Sequence, residues 1–508
     1  MFLMEENKLN SNGLLLGIDI GTQGAKVLVM DVNGEIQATG HHSYEFEVRQ
    51  KGWAEQHPLQ WWNGVVSALR KLWEKGIDPK NIRAIGVSGQ MHSLVLLDKD
   101  KKELGTSILW NDVRTEEECL EIEQLVGKSN FFNITRNSVL PGFTAPKLQW
   151  IKKHEPSRYA NIHHLMQPKD YIVFKLSEAL SSDVSDASGT LWFDTAKRTW
   201  SKEIIDALEI PFEWLNEVHE SQTVVGSVSG EAANVTGLIP GIPVVAGAGD
   251  NAAAALGNGI YEQGKGIVSV GTSGTVFAPL KSVPKLDGDD LSTLHLFCHC
   301  LPNTWHAMGV TLSAGMSLNW YKNTFSNLSY DELLSNVDNI SAGAEGLIYL
   351  PYLNGERTPH NDASARGVFF GMNYQHTKDH FTRAVLEGVS FSLKDCLELI
   401  KRLNINIETL YVTGGAAKSP VWRTILSEIF NQPLVAFEER EGPAFGAALL
   451  AGLGIGVWNG PECFPAVFDN SQTTSINLAN VNAYKEIYKI YKELYDQLKP
   501  VYKKINTN

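Results

Sequence analysis

The chain has 508 residues, 43% of them apolar and 20% charged, with a formal net charge of −13. That is the composition of a globular protein too long for one core, and length alone points to about three domains. The acidity argues against a nucleic-acid binder, which needs a basic face, and no run of about 20 apolar residues is present to span a membrane.

Residues 1–13 lack a basic region followed by a long apolar core, so no signal peptide is expected. Leu14 to Ile20 is an apolar run with Asp19 near its end, and reads as a buried strand. Gly21-Thr22-Gln23-Gly24 turns it, and Ala25 to Asp31 resumes as a second strand. Such a turn exposes backbone N–H groups beside a hydroxyl and Lys26, which are the parts of a phosphate cradle; a plain hairpin is the other reading. Trp61 to Lys75 is an amphipathic helix ended by Gly76, and Ile82 to Val87 is a strand leading into the loop Gln90-Met91-His92. Ile108 to Arg114 reads as a strand running into polar residues. There Trp110 offers an apolar face beside hydrogen-bonding groups, as sugar sites do. Pro141 to His154 is a loop into a helix, and Asp183 to Thr190 is a small-residue loop.

Pro243 to Gly257, PVVAGAGDNAAAALG, is a strand, a glycine-broken turn and an alanine-rich helix. Asp250 stands at the strand-to-helix switch, where α/β proteins place ligands. It reads as a functional carboxylate or as an N-cap. Gly266 to Phe277 then repeats the strand–GTxG–strand form of the N-terminus, with Thr272 in its turn. Two such hairpins about 250 residues apart imply duplication: two lobes, each offering a phosphate loop to a ligand between them. Further on, Phe381 to Leu403 is a long helix, and Leu410 to Thr413 is a strand into Gly414-Gly415-Ala416-Ala417-Lys418. Asn482 to Lys499 is an amphipathic helix that Pro500 should end or kink.

Three look-alikes fail. GAGDNA matches a dinucleotide fingerprint, but an Asp after its second Gly would face a pyrophosphate. GGAAKS resembles the end of a phosphate-binding loop, but Ala417 stands where Gly must precede the Lys. Cys298-His299-Cys300 has no second Cys/His pair at zinc-site spacing. The five cysteines form no even disulfide framework, so a reducing cytoplasm is expected.

The motifs in order are DIGTQGAK, WAEQHP, GQMH, LWNDVR, PGFTAPKLQW, PKDY, SDASGT, AGAGDNAA, SVGTSG, LPYLNGERTPH, GVFFGM, TGGAAKS and EGPAFGAA. Together they resemble the FGGY carbohydrate kinases, from about Leu15 to about Leu453. Departures are Ser93 for the usual Gly after GQMH, His57 for Asp in WAEQHP and Ala416 for a third Gly. The resemblance implies an actin/hexokinase/Hsp70-like (ribonuclease H-like) duplicated α/β fold with a central cleft. An N-terminal lobe over 13–256 would carry the sugar and the first phosphate loop, and a C-terminal lobe over 257–508 would carry ATP. It implies Asp250 as general base and Asp19 as the Mg²⁺ ligand. Thr22, Gln23, Lys26, Thr272, Gly414, Gly415 and Lys418 would be nucleotide contacts, and Met91, His92, Trp110 and Asn251 sugar contacts. GQMH and GERTPH point to the branch acting on D-xylulose. Another ketose or polyol is the same-class alternative, and an Hsp70- or actin-like ATPase the non-kinase one. The resemblance leaves room for a homodimer and implies no nucleic-acid or membrane partner.

Overall fold

The computed structural model describes residues 13–284, 291–437, 442–465 and 471–505. Residues 1–12, read above for a leader, and Glu441 of the EGPAFGAA block lie outside them. The described residues form two compact units. The first comprises 13–261, 297–304 and 442–465, and the second 262–284, 291–296, 305–437 and 471–505.

In the first unit β1 (Leu14–Ile20), β2 (Gly24–Asp31) and β3 (Ile36–Ser43) form an antiparallel meander. β1 also pairs in parallel with β4 (Ile82–Gly89). Beyond β4 lie β6 (Pro243–Val245) and then β5 (Val224–Ser227), so the order is β5-β6-β4-β1-β2-β3. The central strands are apolar on both faces because both are covered. One cover is α1 (Pro58–Glu74), which buries Trp61, Val65, Leu69 and Leu72 along one stripe. Its N-cap is His57, whose ring accepts from Leu59 N–H at 3.3 Å, and Pro58 sits at the first turn, where its missing N–H costs nothing.

The other cover is the helix Gly442–Gly454, which packs on β1 and β4. Its backbone lies against the strands. A Cβ on Gly17 would fall 1.8 Å from the Ala444 carbonyl oxygen, and one on Gly86 would fall 1.9 Å from that of Ala447. Only glycine permits that approach. The same helix meets α2 (Asp250–Gly257) just as closely, since a Cβ on Gly446 would lie 1.9 Å from Ala253 O.

The second unit repeats the plan. β8 (Lys265–Val270) and β9 (Gly274–Leu280) form the second GTxG hairpin, following β7, the two-residue strand Ala248–Gly249 that pairs with the end of β4 in the first unit. β9 pairs with β10 (Trp305–Thr311), and β8 pairs in parallel with β11 (Thr409–Gly414). β12 (Leu434–Ala436) and β13 (Gln472–Thr474) follow outward. In each unit, then, the GTxG hairpin's first strand takes a parallel neighbour, β4 in one and β11 in the other. The duplicated α/β fold expected from the two hairpins is present. No helix among the described residues is long and apolar enough to cross a membrane.

Helices α3 (Lys378–Lys401), α4 (Pro420–Phe430) and α5 (Leu478–Ile505) build the second core. α5 buries Tyr484, Tyr488, Tyr491, Tyr495 and Tyr502 on one stripe. Pro500 does not end it. The helix runs on to Ile505, because the buried Tyr502 anchors the turn that Pro500 deprives of one backbone hydrogen bond. Asp183 to Thr190 is not a plain loop either. Ser181–Asp183 is a strand, and Asp183 then caps a one-turn helix, Val184–Ala187, by accepting from Ser185 N–H at 2.8 Å.

Candidate active site

Three parallel strand ends converge in the first unit. Asp19 of β1 stands beside Ser88 of β4, and Ser88 and Gly89 stand beside Ala248 and Gly249 of β7. Asp19, the Gln90-Met91-His92 loop and Asp250 therefore leave one carboxyl edge of one sheet, the place where open α/β sheets bind ligands.

Asp250 is not the N-cap of α2. Gly249 occupies that position, and no side chain caps the helix. Asp250 is the first helical residue, and its Oδ1 accepts from Asn251 N–H at 2.7 Å and Asn251 Nδ2 at 3.1 Å. Burial, with the Asp19 charge beside it, pushes the Asp250 carboxyl up to about 7, against the pull of the Asn251 N–H. Asn251 Nδ2 also reaches Met91 Sδ at 3.7 Å. A Cβ on Gly249 would fall 2.8 Å from Met91 Cγ and would displace that side chain.

Trp110 is 42% exposed, and its Nε1 donates to Thr22 Oγ1 at 2.9 Å. Thr22 Oγ1 in turn donates to Gln90 Oε1 at 2.9 Å. The first hairpin turn, the Gln90-Met91-His92 loop and Trp110 are thus one hydrogen-bonded assembly, and the Thr22 hydroxyl proton is directed at Gln90. Gln23 and Lys26 are exposed beside it. His92 is partly buried, with φ +66, its Nδ1 2.9 Å from Gly189 O and its ring against Phe143. The strand expected over 108–114 is shorter, Ser107–Ile108. Beyond it side chains take over the backbone's bonding: Asp112 accepts from Ala54 N–H at 2.6 Å and from Arg114 N–H at 3.0 Å. Arg114 lies over Trp53 at 3.6 Å and bridges Asp112 and Glu55, which fixes the segment carrying Trp110.

In the second unit Val270 is in register with Gly414, so the GTSG turn and Gly414-Gly415 share a carboxyl edge. Thr272 is exposed, and its carbonyl accepts from Ala314 N–H and Met316 N–H, each at 3.1 Å. Gly414 has φ +79, and a Cβ there would lie 2.4 Å from Val270 O. Gly415 and Lys418 are exposed just beyond it. The structure thus gathers Asp19, Thr22, Met91, Trp110, Asp250 and Asn251 in one unit, and Thr272, Gly414, Gly415 and Lys418 in the other.

Sequence reasoning did not single out Gln90, Lys169, Asp183 or Ser185 individually. Lys169 and Asp183 are completely buried, with Lys169 Nζ 2.5 Å from Asp170 Oδ1 and 3.2 Å from Asp183 Oδ1. The available signal was the charged residue inside PKDY and the Asp-x-x-Asp pattern from Asp183 to Asp186, a helix-start signature.

Residues 14–257 match the model of the N-terminal domain of the FGGY family of carbohydrate kinases, and residues 266–455 match its C-terminal domain. A xylulose kinase of Bacillus subtilis is 38% identical over 488 residues, covering 96% of this chain and 97% of the relative. One of Lactococcus lactis is 40% identical over 486 residues, covering 95% and 96%. The crystal structure of a xyloylose (xylulose) kinase from Brucella ovis superposes with a TM-score of 0.90 at 36% identity, covering 96% of this chain and all of that one. Two matched domains, full-length relatives and the duplicated α/β fold agree: the chain is a sugar kinase and belongs to the FGGY family of carbohydrate kinases.

Proposed function

We propose that the protein transfers the γ-phosphate of ATP to D-xylulose, forming D-xylulose 5-phosphate and ADP, with Asp250 as general base. The observation that carries this reading is Asp250 itself. It is a carboxylate on the first helical residue of a strand-to-helix switch, raised to about 7 by burial and by Asp19, and hydrogen-bonded to a candidate sugar contact, Asn251. A base that titrates near neutral pH is suited to taking the proton of a hydroxyl as it becomes a nucleophile. The sugar oxygen forms the new P–O bond, the bond to the β-phosphate oxygen breaks, and Asp250 receives the proton. The xylulose assignment is supported by the names of the full-length relatives and by GQMH and GERTPH in this chain.

Met91, His92, Trp110 and Asn251 are the sugar side in this reading, within an N-terminal lobe over 13–256. Thr272, Gly414, Gly415 and Lys418 are the nucleotide side, within a C-terminal lobe over 257–508. Gln23, Lys26 and the backbone of the first hairpin turn face phosphate. Thr22 acts through its bond to Trp110, because its hydroxyl proton is already directed at Gln90. Asp19 suits Mg²⁺, a hard cation that takes one or two carboxylates together with water and phosphate oxygens. When bound, Mg²⁺ neutralises phosphate charge. The cysteines are free thiols, as in a reducing compartment, and the cytoplasm is the proposed location.

Asp250→Asn tests the base. It keeps the acceptor for Asn251 N–H and loses the proton acceptor. Phosphorylation of D-xylulose should fall about 10²–10⁴-fold, with sugar binding and melting temperature retained. A rate near that of the wild type would refute the assignment. A panel of pentuloses, polyols and gluconate tests the substrate, and D-xylulose should give the highest kcat/KM.

A further inference from the structure

The turn that delivers Asp250 is held at both ends by one buried cluster. Lys169 Nζ donates to Ala246 O at 2.9 Å, and Gly249 N–H donates to Ser185 Oγ at 3.0 Å. Between these two anchors Gly247 takes φ +79, and a Cβ on it would lie 2.0 Å from Val87 O and 3.2 Å from Lys169 Cδ. The anchors meet at Asp183. Lys169 Nζ is 3.2 Å from its Oδ1, and Ser185 Oγ donates to its Oδ2 at 2.6 Å. Lys169, Asp183 and Ser185 are all completely buried.

The direction of each bond in this chain is set by chemistry. A carboxylate beside a buried ammonium only accepts, so the Ser185 hydrogen points at Asp183. The lone pairs of Ser185 Oγ are then left for Gly249 N–H, which belongs to the residue immediately before Asp250. Burial alone would push the Lys169 ammonium down; Asp170, Asp183 and Asp186 more than offset this, so it stays charged and holds Asp183 in place.

We propose that Ser185 is a positioning residue for phosphoryl transfer: oriented by Asp183 on the buried Lys169, its Oγ fixes Gly249 N–H and through it the Asp250 carboxylate. This rests on Asp250 being the base. Ser185 touches neither substrate, and its effect is on where the proton acceptor stands.

The test compares Ser185→Ala with Ser221→Ala in the full chain. Ser221 is also completely buried, and its Oγ donates to the same Asp183 oxygen at 2.7 Å, but its side chain does not bond the turn. Ser185→Ala should lower kcat for D-xylulose by about tenfold or more, because small misplacements of a reacting group are costly, with the sugar KM within about twofold. Ser221→Ala should lower the melting temperature comparably and leave kcat within about twofold. In an Asp250→Asn background Ser185→Ala should cause no further loss, since the two residues act as one unit. Equal kcat losses in the two serine variants, or a near wild-type kcat in Ser185→Ala, overturn the proposal while leaving the base reading intact. A wild-type rate in Asp250→Asn alone overturns the base reading and this proposal with it. Should Ser185→Ala fail to fold, Ser185→Cys keeps the side-chain size with a weaker acceptor and is read against the same thresholds.

Discussion

Asp250 shares its surroundings with Asp19 and Asp186, and the three carboxyls set what pH can do. Asp186 is pushed well above the ordinary carboxylate range, first by burial, with Lys169 opposing and Asp170, Asp183 and Asp250 adding to the rise. Asp250 itself is raised to about 7, first by burial and then by the Asp19 charge. As the proposed base Asp250 must be ionised, so kcat/KM for D-xylulose should fall about tenfold per pH unit below that point. A profile flat from pH 5 to pH 8 would count against it. Stability should move the opposite way. An unfolded aspartate ionises near pH 4, while the folded one keeps its proton to about 7. The contribution of this group to stability is therefore complete below about pH 4 and is lost as pH rises to about 7. Asp250→Asn removes that loss, so its melting temperature relative to the wild type should rise between pH 4 and pH 7 and level off above. The place of this carboxylate at a strand-to-helix switch was legible in the strand, glycine turn and helix around it. That Gly249 and not Asp250 takes the N-cap position was not, because a one-residue offset in the helix start decides it.

At the scale of elements, close helix packing against a carbonyl is the recurring device. Gly446 lies inside the helix Gly442–Gly454, where alanine by itself would favour the helix by about 1 kcal/mol. A Cβ there would nevertheless lie 1.9 Å from Ala253 O of α2, the helix that begins at Asp250. Gly446→Ala should therefore cost about 1–3 kcal/mol or more through overpacking, and should lower kcat as α2 shifts. Gly456→Ala is the matched contrast. It has φ +74 with nothing within 4 Å of the added Cβ, so the cost is the left-handed backbone alone, about 1–2 kcal/mol, with kcat unchanged. Equal kcat in the two variants would contradict the coupling of this helix pair to Asp250. The alanine content of residues 252–255 pointed to α2 but not to its contact with the helix Gly442–Gly454, since small residues carry no sign of what approaches them. α5 shows the reverse case: the tyrosine stripe was readable, while the Pro500 rule was outweighed by burial of Tyr502 two residues on.

At the scale of the whole molecule, the first unit is not continuous in sequence. The segment 442–465 returns to it before β13 completes the second sheet, and its helix joins Leu15, Leu28, Met30 and Ala84 in one core. A fragment of residues 13–261 would leave that face of β1 and β4 uncovered. It should aggregate or melt without cooperativity, because apolar surface that a packed helix normally removes from water stays exposed. Co-expression with residues 440–467 should restore a soluble species with a sharp thermal transition. A cooperative transition in 13–261 alone would show that the returning helix is dispensable for this core.

By itself the sequence determined the two GTxG hairpins, Asp19 near the end of the first strand, the Gln90-Met91-His92 loop and the strand-to-helix switch at Asp250. Each is local: a few adjacent residues whose size, branching or charge dictates a strand, a turn or a helix start. Tertiary structure alone decided the hydrogen-bonded link from Trp110 through Thr22 to Gln90, the return of the helix Gly442–Gly454 onto Gly17 and Gly86, and the support of the Asp250 turn by Lys169, Asp183 and Ser185. These join residues tens to hundreds of positions apart. A buried lysine, a serine among small residues or a strand glycine acquires its meaning from the partner it meets, and no periodicity within its own segment encodes that partner.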